Sequence, residues 1–231
     1  MTLPLLVSIP HSGLTIPPEV KDLCILAKKD IVADSDSGAA EIYDIAAEVA
    51  ACQTTDIARA IVDLNRAADD FRKDGVIKTH TCYNVPVFSS QPDRALVATL
   101  LGQYHRPYHD SLSRLSRRAA IICGLDCHTM ATIGPPESPN PGKKRPLVCI
   151  SNADGTCPDA WLAKLAGIFR KLFPGEQITV NTPFRGGYII RRHATELPWL
   201  QLEFSRTGHF SNEAKREALL DALAHWIKQI R

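Results

Sequence analysis

Hydrophobic positions along the chain follow two patterns. The first is a short, continuous apolar run bounded by Gly, Pro, Asn or Asp. Leu5–Ile9, Ala119–Leu125, Leu147–Ser151, Gln177–Val180, Tyr188–Ile190 and Trp199–Phe204 are of this kind. Such runs predict strands, and their lack of polar alternation predicts cover on both faces. The second pattern repeats every three to four residues. Trp161, Leu162, Leu165, Ile168, Phe169 and Leu172 lie between Pro158-Asp159 and Pro174-Gly175, a start and a stop for one helix. Leu219, Leu220, Leu223, Trp226, Ile227 and Ile230 form the stripe of a last helix beginning near Ser211. Glu41–Val49 and Ala95–Arg118 read as further helices, the second kinked or broken by Pro107. Strands alternating with helices predict an α/β fold: a mixed, mainly parallel central sheet with helices on both faces. The last three runs follow one another too closely for helical crossovers, which requires some antiparallel pairing. One domain over residues 1–231 accommodates all of these elements.

Composition narrows the class. Apolar residues make up 45% and the net charge is +2, so neither nucleic acid nor membrane is expected as the main partner. No apolar run reaches the ~18–20 residues needed to cross a bilayer, and no signal peptide is expected at the N-terminus. Seven cysteines without a CxxC pair predict reduced thiols in a cytoplasmic protein. The proline-rich stretch 131–146 predicts a loop, either a lid or plain surface; it lacks the pattern of a phosphate loop.

Ligands of open α/β sheets bind beyond the carboxyl ends of the strands. The first run ends at His11, and "AIICGLDCHTM" ends in Asp126 and His128. "ARAIVDLNR" ends in Asp63, Asn65 and Arg66, and "WLQLEFSR" carries Glu203 with Arg206 just beyond. Two imidazoles on different strands can share one ion, provided a third ligand and an open position exist; either alone is more often a hydrogen-bonded structural group. A carboxylate within "LQLEF" is expensive to bury unless it is paired, protonated or near a metal. Asn65 and Arg66 can together fork donors onto a carboxylate. His105 and His109 share a helical face, but Pro107 between them favours a structural role.

Eight segments in order carry a resemblance: "IPHSG" at 9–13, "DSDSGAAEIYD" at 34–44, "ARAIVDLNR" at 58–66, "HRPYH" at 105–109, "DCHT" at 126–129, "SNADGTC" at 151–157, "NTPFRGGYIIRRH" at 181–193 and "LQLEFSR" at 200–206. Together they resemble the N-formylglutamate amidohydrolase family. The resemblance implies a zinc-dependent amidase with a fold similar to aspartoacylase and the zinc carboxypeptidases. It implies His11 and His128 as metal ligands, with Asp36, or alternatively Asp34, as the third. In those relatives the first motif is His-x-x-Glu; Leu14 stands at the Glu position here, so the carboxylate comes from elsewhere. Two His and one carboxylate also suit iron, cobalt or manganese. By the same resemblance Glu203 matches the general base and Arg59 holds the oxyanion with zinc. Asn65 and Arg66 bind the substrate carboxylate; Arg185, in the Gly-rich "PFRGG" turn, is a candidate for a second one, the alternative being an exposed cation. Asp126 is placed to orient His128, and Asp63 to pair with Arg59 or Arg66. The implied substrate is N-formylglutamate or another N-acyl amino acid. The alternatives are a different acyl-amino-acid or peptide amide, or a binding protein that kept the fold.

Overall fold

A computed structural model describes residues 2–231. Six strands form one sheet: β1 (Leu3–Ile9), β2 (Val49–Thr54), β3 (Cys123–Met130), β4 (Val148–Ser151), β5 (Ile178–Val180) and β6 (Trp199–Ser205). Their order is β2-β1-β3-β6-β4-β5. All neighbours are parallel except β4 and β6, which run antiparallel. The helices are α1 (Lys28–Asp34), α2 (Ala39–Ile42), α3 (Arg94–Leu100), α4 (Arg106–Ser116), α5 (Asp159–Leu172), α6 (Tyr188–His193) and α7 (Asn212–Ile230). No helix among the described residues is long and apolar enough to cross a membrane.

Where helix ends were predicted from turn chemistry, the structure agrees. Ser211 caps α7 by accepting from the Ala214 N–H at 3.1 Å, and α5 ends at Leu172, before Pro174-Gly175. Three expectations need correction. Tyr188–Ile190 is helical, the first turn of α6. The expected helix 41–49 shrinks to α2, and Val49 begins a strand that the pattern did not reveal. Pro107 does not break its helix. The segment Leu101–His105 widens into a π turn, with the Arg106 N–H reaching Leu101 O, and α4 starts with Pro107 in its first turn. A proline there costs little because first-turn N–H groups need no intrahelical partner. The mixed sheet is real, but its antiparallel pair is β4 with β6 rather than a series of closely spaced final strands.

Residues alternate across each central strand, and this sorts them strictly. One face carries Leu5, Val7, Ile9, Leu125, Cys127, Leu200, Leu202 and Phe204 against Ile42 of α2, Leu162 and Phe169 of α5, and Leu223 and Trp226 of α7. The Trp226 indole N–H donates to Trp161 O at 2.8 Å, stitching α7 to α5. The opposite face is apolar at the amino ends of the strands, where Leu6 and Trp199 pack on Leu112 of α4 and on Ile189 and Ile190 of α6. Towards the carboxyl ends it turns polar. Ser8, Asp126, Gln201 and Ser151 form one rung across four strands; His128, Glu203 and Cys149 form the next. In-register neighbours point the same way, so this polar ladder is built by pairing.

Candidate metal centre and its cavity

His11 lies two residues beyond the end of β1, after Pro10, and its carbonyl accepts from the Asp36 N–H at 3.0 Å. That bond holds the α1–α2 connection against the sheet end. Gly38 (φ 82°) supplies the left-handed residue that turns this connection into α2. Tyr43, on the other side of the sheet, donates to His128 O at 2.7 Å and fixes the end of β3.

His11 Nδ1, His128 Nδ1 and Asp36 Oδ2 form a triangle with edges of 3.1, 2.9 and 3.5 Å. All three residues are buried. The far nitrogen of each imidazole is taken. His11 Nε2 lies 2.8 Å from Asp63 Oδ1 and His128 Nε2 lies 2.9 Å from Asp126 Oδ2. Ionised carboxylates only accept, so this network assigns the proton of each ring to Nε2. With both rings neutral, two imidazole lone pairs and a carboxylate oxygen face one another, an arrangement that suits a cation, whether a proton or a metal ion. A tetrahedral ion with bonds of about 2.0–2.1 Å separates its donor atoms by about 3.3 Å, close to the observed edges. The donor set therefore fits zinc or a similar divalent ion.

Electrostatics favour positive charge at the same point. Burial alone would lower the basicity of His128, but Asp126 and Asp36 outweigh it and hold the imidazole well above its usual range. Burial likewise opposes ionisation of Asp36, yet His11 and His128 keep its carboxyl well below the ordinary value. Burial pushes Glu203 up to about 7, with His128 opposing the rise. Glu203 Oε1 accepts from Gln201 Nε2 at 2.8 Å, and the Gln201 carbonyl oxygen accepts from the Gly187 N–H at 2.6 Å. This chain of bonds sets the carboxylate beside His128.

These groups open into a cavity of about 650 Å³ lined by His11, Asp36, His128, Glu203, Arg59, Arg145 and Arg206, among others. The 131–146 segment forms part of its wall. It is no structureless loop: its arms pair through Gly134 N–H to Lys143 O and Arg145 N–H to Thr132 O, both 2.9 Å. Its tip is tied across by Glu137, which bonds Lys73 Nζ at 2.8 Å and the Cys82 carbonyl through its own N–H at 3.1 Å.

The remaining candidates are placed as follows. Asp36, not Asp34, meets the histidines. Asp34 accepts from Lys78 Nζ at 3.1 Å and the Cys82 N–H at 2.7 Å; burial opposes its charge, but Lys78 and Arg59 lower its pKa to about 2. Arg59 contacts Asp36 at 3.2 Å and Asp63 at 3.5 Å, with Asp34 3.9 Å away. Asn65 lines the cavity with both ends of its amide engaged: its nitrogen donates to Asp126 at 3.1 Å and its oxygen accepts from the Ile189 N–H at 2.8 Å. A side chain at Gly187 would collide with that amide. Arg66 binds the carboxylate and carbonyl of Asp74 at 3.3 and 3.0 Å, and Arg185 pairs with Asp154 at 2.8 Å on the exposed wall. Leu14 points outward, 45% exposed; Asp36 supplies the carboxylate that its position lacks. His105 and His109 stay out of the centre, donating to the carbonyls of Arg66 and Leu64.

Two cavity or scaffold groups escape sequence reasoning. Lys78 is 1% exposed between Asp34 and Asp63; its signal is a lone Lys at the end of "GVIK". Arg145 sits in the proline-rich segment, where a cation suggests nothing but solvent.

An α/β sheet that presents a buried two-histidine, one-carboxylate cluster beside a buried glutamate is the architecture of a hydrolase fold with a candidate metal site. Within it, the chain belongs to the N-formylglutamate amidohydrolase family, whose model matches residues 3–209. It is 25% identical over 226 residues to N-formylglutamate deformylase of Pseudomonas aeruginosa, covering 91% of this chain and 84% of the relative. It is 27% identical over 224 residues to the deformylase of Pseudomonas putida, with 90% and 82% covered. The fold matches that of N-formylglutamate amidohydrolase from Ralstonia eutropha, with a TM-score of 0.79 at 19% identity over 99% of this chain and 93% of that one. A gene product of Agrobacterium tumefaciens matches similarly, with a TM-score of 0.78 at 16% identity over 99% and 92%.

Proposed function

We propose that this protein hydrolyses the amide of N-formylglutamate or a closely similar N-acyl amino acid, with a divalent metal, zinc by preference, held by His11, Asp36 and His128. The observation that supports this most is the convergence of three lone-pair donors within 3.5 Å of one another, next to a carboxyl group in register with His128. What a bound divalent ion supplies there is Lewis acidity, lowering the pKa of water from about 16 to about 7 and polarising a carbonyl.

Glu203 is the general base in this reading. Its Oε1 is held by Gln201, which leaves Oε2 to accept a proton from water as the water oxygen attacks the acyl carbon. The same carboxyl then delivers that proton to the amide nitrogen as the C–N bond breaks, releasing formate and the free amino acid. Burial keeps the Glu203 pKa near neutrality, which suits both halves of the transfer. Asp63 and Asp126 hold the two imidazoles in the tautomer that presents Nδ1. Arg59, bracketed by Asp34, Asp36 and Asp63, positions Asp36 and brings positive charge to the developing oxyanion. Arg66 and Arg185 occupy more exposed parts of the wall, where pairs with Asp74 and Asp154 are weak enough to be exchanged for an incoming carboxylate. Leu14, the feature that argues for a binding protein without chemistry, loses its force because Asp36 fills the vacant ligand role.

Metal analysis of purified protein tests this together with formate release from N-formylglutamate. About one zinc per chain and turnover lost to a chelator are expected. Glu203→Gln should retain the metal while kcat falls about 100-fold or more. A wild-type protein that binds no divalent ion, or whose turnover ignores both chelator and Glu203→Gln, ends the proposal.

A further inference from the structure

The cations of this cavity divide into two kinds. Arg59, Arg66 and Arg185 each face a carboxylate within 4.0 Å. Arg145 and Arg206 face none among the described residues, although both line the cavity with Glu203. Arg145 is only 6% exposed. Its single side-chain bond runs from Nε to Asn140 Oδ1 at 3.0 Å, so both Nη groups lack a protein partner. Its guanidinium lies 4.8 Å from the centre of the Phe184 ring, a stack that fixes the plane of the fork. Arg206 gives Nη1 to Ser35 O at 3.1 Å, and its buried Nε has no partner.

The backbone anchors these two residues to one segment. The Arg206 N–H donates to Met130 O and the Arg145 N–H to Thr132 O, both at 2.9 Å. The chain continuing from His128 thus anchors the backbones of both arginines, at carbonyls two residues apart. Glu203 acts on Arg145 through space but makes no ion pair with either arginine; two like charges without an ion-paired acid gain when an anion arrives. Planar forks with free N–H groups match a carboxylate better than they match any neutral group.

We propose that Arg145 and Arg206 form the receptor for a carboxylate of an acidic substrate, and so determine the preference of the site for N-acylated acidic amino acids. The assignment rests on the hydrolase reading for its substrate, but not for its anion. Asn65 is held by Asp126 and Ile189, and Arg66 and Arg185 must first give up Asp74 and Asp154, so Arg145 and Arg206 are the donors that meet an anion with no ion pair to exchange.

The test uses N-formylglutamate, its α-amide and its γ-amide, with wild type, Arg145→Gln, Arg145→Lys and Arg206→Gln. Wild type should lose about 100-fold in kcat/KM on whichever amide removes the recognised carboxylate. Arg145→Gln should lose about 100-fold on N-formylglutamate and less than about 3-fold on that amide, abolishing the discrimination. Arg145→Lys, which keeps the buried charge and spares folding, should lose about 10-fold because it keeps the charge but not the fork. Calorimetric titration with glutarate, which has no amide to cleave, reads the receptor without turnover. Affinity should fall about 30-fold or more in Arg145→Gln and remain in Glu203→Gln. Unchanged glutarate affinity and unchanged amide discrimination in Arg145→Lys and Arg206→Gln would overturn the proposal while leaving the hydrolase intact. Arg145-dependent glutarate binding without hydrolysis of any N-acyl amino acid would instead sink the hydrolase reading and uphold the receptor.

Discussion

Leu202 and Glu203 are chain neighbours in β6, both buried, yet they belong to different economies. Leu202 faces the α5–α7 side, where its side chain joins an apolar cluster. Glu203 faces the cavity, where each polar group is bought into place by another: Gln201 by Gly187, Asp126 by Asn65 and Ser8, His11 by Asp63. One face holds the fold together through dispersion and water exclusion. The other concentrates ionisable groups whose burial costs free energy and whose value lies in chemistry. A sheet is suited to this division because adjacent residues point to opposite sides.

The division is sharpest where a substitution affects one face and spares the other. The largest effect is expected from His128→Ala, which removes one donor and the group braced by Asp126; bound metal and turnover should both be lost, as read by metal analysis and formate release. Leu202→Ala should instead cost about 2–5 kcal/mol of stability in denaturant unfolding while the folded protein keeps its metal. Glu203→Gln provides the mirror image, unfolding no earlier than wild type because it removes a buried charge.

A smaller effect separates the faces by pH. Burial, reinforced by His105 and His193, lowers the pKa of His109 to about 3. The folded protein keeps this ring neutral while the unfolded chain takes a proton below about 6.5. Stability from His109 is therefore complete above about pH 6.5 and is lost as pH falls towards 3. His109→Gln should flatten the pH dependence of unfolding in that window by up to one proton, about 1.4 kcal/mol per pH unit. No change in slope would show that the ring is protonated in the fold. The smallest effect is expected at Ser211→Ala, about 1 kcal/mol from the lost cap of α7, with turnover unchanged; activity loss there would show that the apolar side is not independent of the cavity.

Parts of this division can be read from the chain. An Asp, a His and a Glu inside apolar strands are anomalies that carry their own message, because nothing but partners or a ligand stabilises them there. The strand β2 is different. "VAACQT" has small residues whose pattern fits a helix as well as an edge strand, and only pairing with β1 decides. "YIIRRH" has strand-like branched residues, but Ile189 and Ile190 pack on the sheet while Asn65 accepts the Ile189 N–H. Short apolar runs are ambiguous between helix and strand for this reason.

By itself the sequence determined the alternation of strand and helix, the caps and stops of the long helices, and the polar residues out of place in apolar surroundings. These follow from periodicity and local backbone chemistry, which act over a few residues. Only the tertiary structure decided that Asp36 rather than Asp34 joins His128 from 92 residues away. The same is true of Lys78 occupying the space between two buried aspartates, and of Arg145 and Arg206 making no ion pair among the described residues. Those outcomes depend on which charges meet through space, and Coulomb pairing in a buried cavity leaves no period along the chain.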